Sequence, residues 1–306
     1  MPLDLKELPT ASPSVPRDGW GRPLVVPKGG GKPRSLTRTT TFIDCIEDKS
    51  ALSDWRQRMT LMGTARRPAL LDMVRQLDPD DASDKRRLNT LAEQAADIAG
   101  ASVKRKRGTH LHTLSEYVDR GEELPASSSP SDVADMAAYK VETVDFDVVA
   151  VEQFVVVDEL GAGGTFDRML RYSGPGPEGE HIEGLFIGDL KTGSVRHGRL
   201  KMAAQLAVYS RGELYDHTLC PVDDGDKKAL AAWKKSVVPA NVASAAYAPV
   251  PAVNKDWGII IHLPAGEARC TLYWADLRLG WEAARLALDL RRMRSAKSAL
   301  VQFNQR

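Results

Sequence analysis

The chain has 306 residues, of which 42% are hydrophobic, so it can bury a core in one large domain or two small ones. Its 42 lysines and arginines balance 41 aspartates and glutamates, so net charge neither favours nor excludes a polyanionic partner. Three widely separated cysteines exclude a disulfide framework, and the chain shows neither a secretory leader nor an apolar run of about 18 residues. We therefore expect a soluble, cytoplasmic protein that does not enter the membrane.

The first 38 residues are predicted to form an extended or disordered basic arm. They contain seven of the 18 prolines, a run of three glycines, and seven basic against three acidic residues. A segment of this composition is unlike one that builds its own core. The G-G-G-K-P fragment within it lacks the spacing and the Ser/Thr of a phosphate-binding P-loop, so the chain carries no motor motif.

Two further regions follow in chain order. Residues 39–125 have helical apolar periodicity, and a Ser/Pro-rich loop at 125–135 ends them. Residues 140–306 then alternate between strand and helix patterns: three strands joined by glycine-rich turns, a helix over 199–215, two more strands and a basic closing helix from 277. This order predicts an α/β fold with a mixed β-sheet core flanked by helices.

The stretch I-G-D-L-K-T-G at 187–193 suggests a metal site at a strand end. Strand alternation places Asp189 and Lys191 on one face and leaves the backbone carbonyl of Leu190 beside them. Mg²⁺ or Mn²⁺ prefers oxygen ligands, and Asp167 on the preceding strand can supply a second carboxylate. A solvated ion pair between Asp189 and Lys191 is the alternative to a metal site.

Four motifs in this order resemble the PD-(D/E)xK nuclease superfamily, in particular its RecB-like exonuclease branch. They are G-T-H-L-H at 108–112, G-T-F-D at 164–167, D-L-K-T-G at 189–193 and Q-L-A-V-Y at 205–209. The resemblance covers roughly residues 37–295 and implies a restriction-endonuclease-like sheet in residues 39–306. Some relatives carry an iron–sulfur cluster held by four cysteines. This chain has three cysteines, at other spacings, so we expect a phage-type member without that cluster.

The resemblance implies roles for individual residues. Asp167, Asp189 and the Leu190 carbonyl would bind Mg²⁺ or Mn²⁺, with His112 and Glu152 as further ligands. A plain polar strand start is the alternative for Glu152. The alternative for His112 is a satisfied histidine in the protein core, and the neighbouring His110 competes with it for the ligand role. Lys191 would orient or deprotonate the attacking water and stabilise the developing charge. The family pattern also implies DNA contacts for three residues, with helix packing as the alternative for the last two: Thr192, Gln205 and Tyr209.

A run of four cations, Lys104, Arg105, Lys106 and Arg107, precedes the histidine motif. At the start of a helix these side chains can hold DNA phosphates, and an ordinary solvated charged surface is the alternative.

Together these patterns predict a metal-dependent deoxyribonuclease, an exonuclease of DNA recombination, repair or replication of the kind that phages encode. A structure-selective or nicking endonuclease on the same fold, or a DNA-binding accessory module without activity, stays open. DNA is the expected substrate, and a helicase or recombinase is the expected protein partner, because the chain has no motor motif of its own. Oligomeric state is left open.

Overall fold

The computed structural model describes residues 14–296 and 299–300, without the side chain of Lys104. The chain forms two compact units. Unit 1 consists of Met1–Glu47, Lys140–His262 and Cys270–Arg306, and unit 2 consists of Asp48–Tyr139 and Leu263–Arg269. The division differs from the predicted helical and sheet parts, because residues 39–47 belong with the sheet and the short segment after residue 262 belongs with the helices.

Unit 1 is built on a mixed β-sheet flanked by helices, so the predicted α/β architecture is confirmed. Within the described residues the sheet has eight strands, seven of them in the order β10-β9-β6-β5-β4-β7-β8, with β3 pairing alongside β5. The β6–β9 and β3–β5 pairs are parallel and the others antiparallel. The remaining two strands pair with each other. The bounds are β1 Leu24–Val25, β2 Arg34–Ser35, β3 Thr37–Arg38, β4 Asp147–Val157, β5 Ala162–Pro175, β6 His181–Lys191, β7 Glu213–Tyr215, β8 Tyr247–Pro249, β9 Trp257–His262 and β10 Thr271–Asp276.

The three predicted strands form the antiparallel meander β4–β5–β6 at the centre of the sheet. The turn from β4 to β5 ends at Gly161, whose φ of +57° is the left-handed conformation that glycine adopts readily. The turn from β5 to β6 uses Gly179 at φ +88° in the same way. The glycine-rich turns read from the sequence therefore fix the pairing of the strands that carry the acidic motifs.

Two helices of unit 1, α7 Arg199–Tyr209 and α10 Leu277–Arg294, pack closely against each other. A Cβ on Gly280 would lie 2.4 Å from the Ala203 carbonyl oxygen, so the glycine permits this contact. The predicted helix over 199–215 is too long, because residues 213–215 form β7, which pairs with β4 through Val155 and Leu214. The other helices of unit 1 are short: α1 Thr39–Phe42, α8 Lys227–Trp233 and α9 Ala240–Ala245.

Residues 14–38 differ from the predicted arm. Val25, Val26 and Leu36 are buried and pack into one hydrophobic cluster with Phe154 and Tyr215. Pro16 and Pro23 are buried as well, whereas the charged residues of this segment are exposed or half-buried. The average composition of the segment therefore conceals a short apolar pattern that the sheet completes. The remainder of the predicted arm, residues 1–13, lies outside the described residues.

Unit 2 is helical. Its helices are α2 Ser50–Arg66, α3 Ala69–Val74, α4 Ala82–Ile98, α5 Ala101–Asp119 and most of α6 Pro130–Glu142. α2 contacts α4 at Gly63, where a Cβ would lie 1.6 Å from the carbonyl oxygen of Ala95. Leu70, Leu91 and Ala95 form a small buried cluster in this unit. In the described part of the chain, no helix combines the length and the apolar character that crossing a membrane requires.

Candidate functional site

Three acidic residues occupy neighbouring positions on the three strands of the meander. Glu152 on β4 lies opposite Asp167 on β5, between two paired positions of that ladder. Asp167 in turn is one residue beyond the paired Arg168 and Gly188, which places it beside Asp189 on β6. Directly opposed residues on adjacent strands have Cβ atoms roughly 5 Å apart, and like charges at that separation repel. The fold therefore concentrates negative charge at one place on the sheet.

Glu152 has an unusual backbone conformation, with a φ of +48°. It is the sixth residue of β4 and so lies within the strand, whereas the sequence pattern placed it at the strand opening. The Gln153 side-chain amide donates to the Val151 carbonyl at 2.9 Å, which spans the irregular residue. A left-handed glutamate in mid-strand costs of order 1 kcal/mol or more, and such strain is concentrated at functional sites. The conformation singles out Glu152 among the residues of β4.

Asp167 is held by the neighbouring strand. Its Oδ2 accepts a hydrogen bond from the Leu190 backbone N–H at 2.8 Å. One carboxylate oxygen of Asp167 lies within 4.8 Å of one of Glu152. Two carboxylate oxygens at this separation can bind one divalent cation, and Leu190, whose carbonyl was predicted as a ligand, is adjacent to Asp189 on β6.

Asp189 is the most deeply buried of the three acids, with 3% of its surface exposed. Gln205 Nε2 donates to Asp189 Oδ1 at 3.0 Å, and Lys191 Nζ lies 2.5 Å from Asp189 Oδ2. Lys191 is thus the partner of Oδ2, and Gln205 is the partner of Oδ1. Burial, and then the charge of Asp167, raise the pKa of Asp189 from 3.8 to about 6. An additional cation would relieve both effects.

Lys191 completes the charged group. Burial alone would lower the pKa of Lys191, but the carboxylates of Asp189 and Asp167 outweigh burial and raise that pKa. Its side chain is therefore an ammonium ion at neutral pH in the metal-free protein, which supports a charge-stabilising role over that of a base. Its Nζ also donates to Gln205 Oε1 at 3.4 Å.

Gln205 and Tyr209 on α7 lie inside the protein, 9% and 2% exposed. Their side chains are 3.5 Å apart, between Gln205 Nε2 and the Tyr209 hydroxyl. Burial and the nearby Asp189 raise the pKa of Tyr209 well above its usual value, so the phenol stays protonated. Both were predicted to contact DNA. In the structure Gln205 hydrogen-bonds to Asp189 and Lys191, and Tyr209 contacts Gln205. Thr192, which follows β6, is half-buried.

The predicted histidine and basic run lie on α5 in unit 2. His112 is half-buried, while His110 is paired with Asp132 at 3.2 Å, so the two histidines have different environments. Arg107 forms ion pairs with Asp132 and with Asp135, at 3.1 Å to the latter. Arg107 is thereby engaged within the unit instead of being free for phosphates.

Two other cations of the run, Arg105 and Lys106, differ from Arg107 in their surroundings. Arg105 and Lys106 are exposed on the first two turns of α5. The side chain of Lys104 lies outside the described residues. The helical period turns Arg107 toward α6 and leaves its neighbours on the surface.

Sequence reasoning missed Arg168, which follows Asp167 directly on β5. It is 2% exposed, and its charge lowers the pKa of Asp189, against the larger effects of burial and Asp167. The buried strand pattern around F-D-R-M was the available signal, since a charged residue on a strand interior requires compensating charge.

No protein-family model matches the chain, and no curated protein matches it. The nuclease resemblance therefore rests on the motifs and on the arrangement of the residues described above.

Proposed function

We propose that the protein is a metal-dependent deoxyribonuclease of the PD-(D/E)xK type, with a restriction-endonuclease-like sheet, and that it acts as an exonuclease. One observation carries the proposal: Glu152, Asp167 and Asp189 lie side by side on three adjacent strands, with the Lys191 ammonium beside them. A solvated ion pair does not explain why a carboxylate is buried next to another carboxylate. A site for a divalent cation explains it, because the cation offsets the repulsion.

The ligands present fit Mg²⁺ or Mn²⁺. Carboxylate and carbonyl oxygens are the ligands that these hard cations prefer. Asp167, Asp189, Glu152 and the Leu190 carbonyl would hold the ion. The resemblance also implies His112 as a ligand, and a His112→Ala variant measures its contribution separately. When bound, the ion would lower the pKa of a water molecule and offset charge on the phosphate.

The protein's own residues have defined tasks in this proposal. Lys191, fully charged, would orient the attacking water and stabilise negative charge that develops on the phosphate oxygens. Gln205 would hold the Asp189 carboxylate and the Lys191 ammonium at a fixed separation through its two hydrogen bonds. Tyr209, protonated, would support the Gln205 amide. Arg105 and Lys106 are the exposed cations of α5 that remain available for DNA phosphates.

Incubation of the purified chain with end-labelled linear DNA and with relaxed circular DNA tests the proposal. We expect degradation of the linear DNA in Mg²⁺ or Mn²⁺ and none with chelator, while circular DNA stays intact. Nicking of the circle would replace the exonuclease with an endonuclease on the same site. Binding of DNA without cleavage in either metal would leave only the accessory-module function. A helicase or recombinase partner in recombination, repair or replication is part of the proposal, since the chain lacks a motor motif.

A further inference from the structure

A cleft in unit 1 lies where β5 begins. Its volume is about 150 Å³. Two arginines and four hydroxyl-bearing residues line it together with two glycines, a proline and a phenylalanine, and none of the described lining residues carries a carboxylate: Arg17, Pro23, Arg38, Thr39, Thr40, Phe154, Gly163, Gly164, Thr165 and Tyr209. This combination of donors suits an oxyanion.

Thr39 provides the strongest evidence that a ligand belongs in the cleft. The residue is 1% exposed, and among the described residues its Oγ1 forms no hydrogen bond. Buried hydroxyl groups are normally satisfied by a partner. A phosphate oxygen in the cleft would accept a hydrogen bond from this hydroxyl.

Gly164 keeps the cleft open at this point. A Cβ on Gly164 would lie 3.0 Å from Thr39 Oγ1 and 3.1 Å from the Tyr209 hydroxyl. The glycine therefore leaves the space between these two hydroxyls free. The G-T-F-D motif thus supplies Asp167 to one site and Gly164 and Thr165 to the other.

The two arginines can face an anion because neither forms an ion pair with a described residue. Arg38 is exposed and makes no ion pair with another described residue. Arg17 donates through Nη1 to the Gly21 carbonyl at 3.1 Å, a contact that leaves its charge in place. Asp18, the residue after Arg17 in the sequence, forms an ion pair with Arg22 at 2.8 Å.

The cleft adjoins the candidate metal site through shared elements. Tyr209 lines the cleft and contacts Gln205, which holds Asp189, and Thr165 is two residues before Asp167 on β5. We propose that the cleft binds a phosphate group of the nucleic acid substrate other than the one that is cleaved. The proposal rests on the proposed nuclease function and adds to it a second point that fixes the substrate relative to the metal ligands.

Binding of a short single-stranded oligonucleotide in the presence of chelator tests the subsite without requiring cleavage. Arg38→Ala should weaken binding about tenfold, since a charge-assisted contact is lost, and should reduce the salt slope by roughly one. The matched control is Lys32→Ala, which removes an exposed cation from the same segment outside the cleft and should change affinity less than about twofold. Equal effects of the two substitutions would overturn the proposal.

Thr39→Val provides a second variant, because it removes only the unpartnered hydroxyl and leaves the fold without a lost hydrogen bond. We expect it to weaken oligonucleotide binding severalfold at unchanged thermal stability. Unchanged affinity in both Thr39→Val and Arg38→Ala would remove the cleft from consideration.

Oligonucleotides with a 5′-phosphate, a 3′-phosphate or no terminal phosphate identify which phosphate occupies the cleft, and inorganic phosphate as competitor shows whether a free anion suffices. In each arm, the loss of affinity in Arg38→Ala must be confined to ligands that carry the recognised phosphate. If wild-type protein binds through Arg38 but cleaves nothing in Mn²⁺, the nuclease function fails and the subsite stands. If it cleaves and Arg38→Ala binds as tightly as wild type, the subsite fails and the nuclease function stands.

Discussion

Replacing Asp189 by asparagine should remove most of the stabilisation that Mn²⁺ or Mg²⁺ gives the protein. The side chain keeps its shape, and its amide oxygen can still accept from Gln205, but the charge is lost. The pKa of Asp189 is raised from 3.8 to about 6 by burial and by Asp167. At about 1.4 kcal/mol per pKa unit, keeping this carboxylate ionised costs the folded protein about 3 kcal/mol at neutral pH.

We expect a bound divalent cation to offset about that amount at Asp189. Because about 1 kcal/mol shifts the melting temperature of a chain of this size by roughly 2–4 °C, saturating Mn²⁺ should raise the Tm of the wild type by roughly 6–12 °C. The asparagine variant should retain only a small part of this rise. Asp145→Asn, which removes an exposed carboxylate from the same unit, is the control and should retain all of it.

The sign of the pH dependence follows from the direction of the shift. An acid whose pKa is higher in the folded state than in the unfolded state destabilises the fold when it ionises. The free energy of unfolding therefore falls as pH rises from about 4 to about 6. The metal-free wild type should therefore lose stability in that window, and Asp189→Asn should not. Thermal unfolding with chelator and with each metal, across this pH range, measures both effects. A full Mn²⁺ shift in Asp189→Asn would refute the proposed role of this carboxylate.

Three further predictions concern other parts of the molecule. Lys191→Gln should retain the Mn²⁺-induced rise in Tm but lower the cleavage rate by roughly 10²–10⁴-fold, as measured on end-labelled DNA. The substitution removes the charge that stabilises the reacting phosphate but removes no metal ligand. Gly63→Ala should lower the free energy of unfolding by about 2 kcal/mol or more in urea titrations, since the clash with α4 exceeds the helix-propensity gain of about 1 kcal/mol. Arg107→Gln should cost about 3 kcal/mol at neutral pH by leaving two buried carboxylates without their cation. Burial raises the pKa of Asp132, but hydrogen bonds from Ser129 and His110 and the charge of Arg107 outweigh it and lower that pKa to about 2, so the cost should shrink as pH falls from about 4 to 2.

Each of these substitutions has a control in the same unit. Lys201→Gln removes a lysine that pairs with Asp44 and so tests whether losing any paired cation of unit 1 affects cleavage. Leu61→Ala truncates an exposed side chain of α2 and should change stability by less than about 0.5 kcal/mol. Arg105→Gln removes an exposed cation beside Arg107 and should leave stability nearly unchanged. Equal losses in variant and control would contradict the corresponding prediction.

Local signals in the sequence are sufficient to predict the central meander and to place Asp167 beside Asp189, but not to place Glu152 within β4. Valine-rich runs and glycine turns are local signals, and antiparallel strands joined by short turns have few alternative registers. The predicted strand order therefore brings Asp167 and Asp189 next to each other, as the register of β5 and β6 does. The same local signal located α7, although the helix ends at Tyr209 because the next strand pairs with β4.

Which side chains are buried or paired together depends on the tertiary structure. The left-handed backbone of Glu152, the burial of Gln205 and the ion pairs of Arg107 depend on residues far away in the chain. Residues 14–38 likewise read as an arm until the sheet provides the apolar surface that buries Val25 and Leu36. Periodicity and composition report local preference, whereas burial and charge pairing arise from contacts between distant segments, and those contacts decided what each candidate residue does.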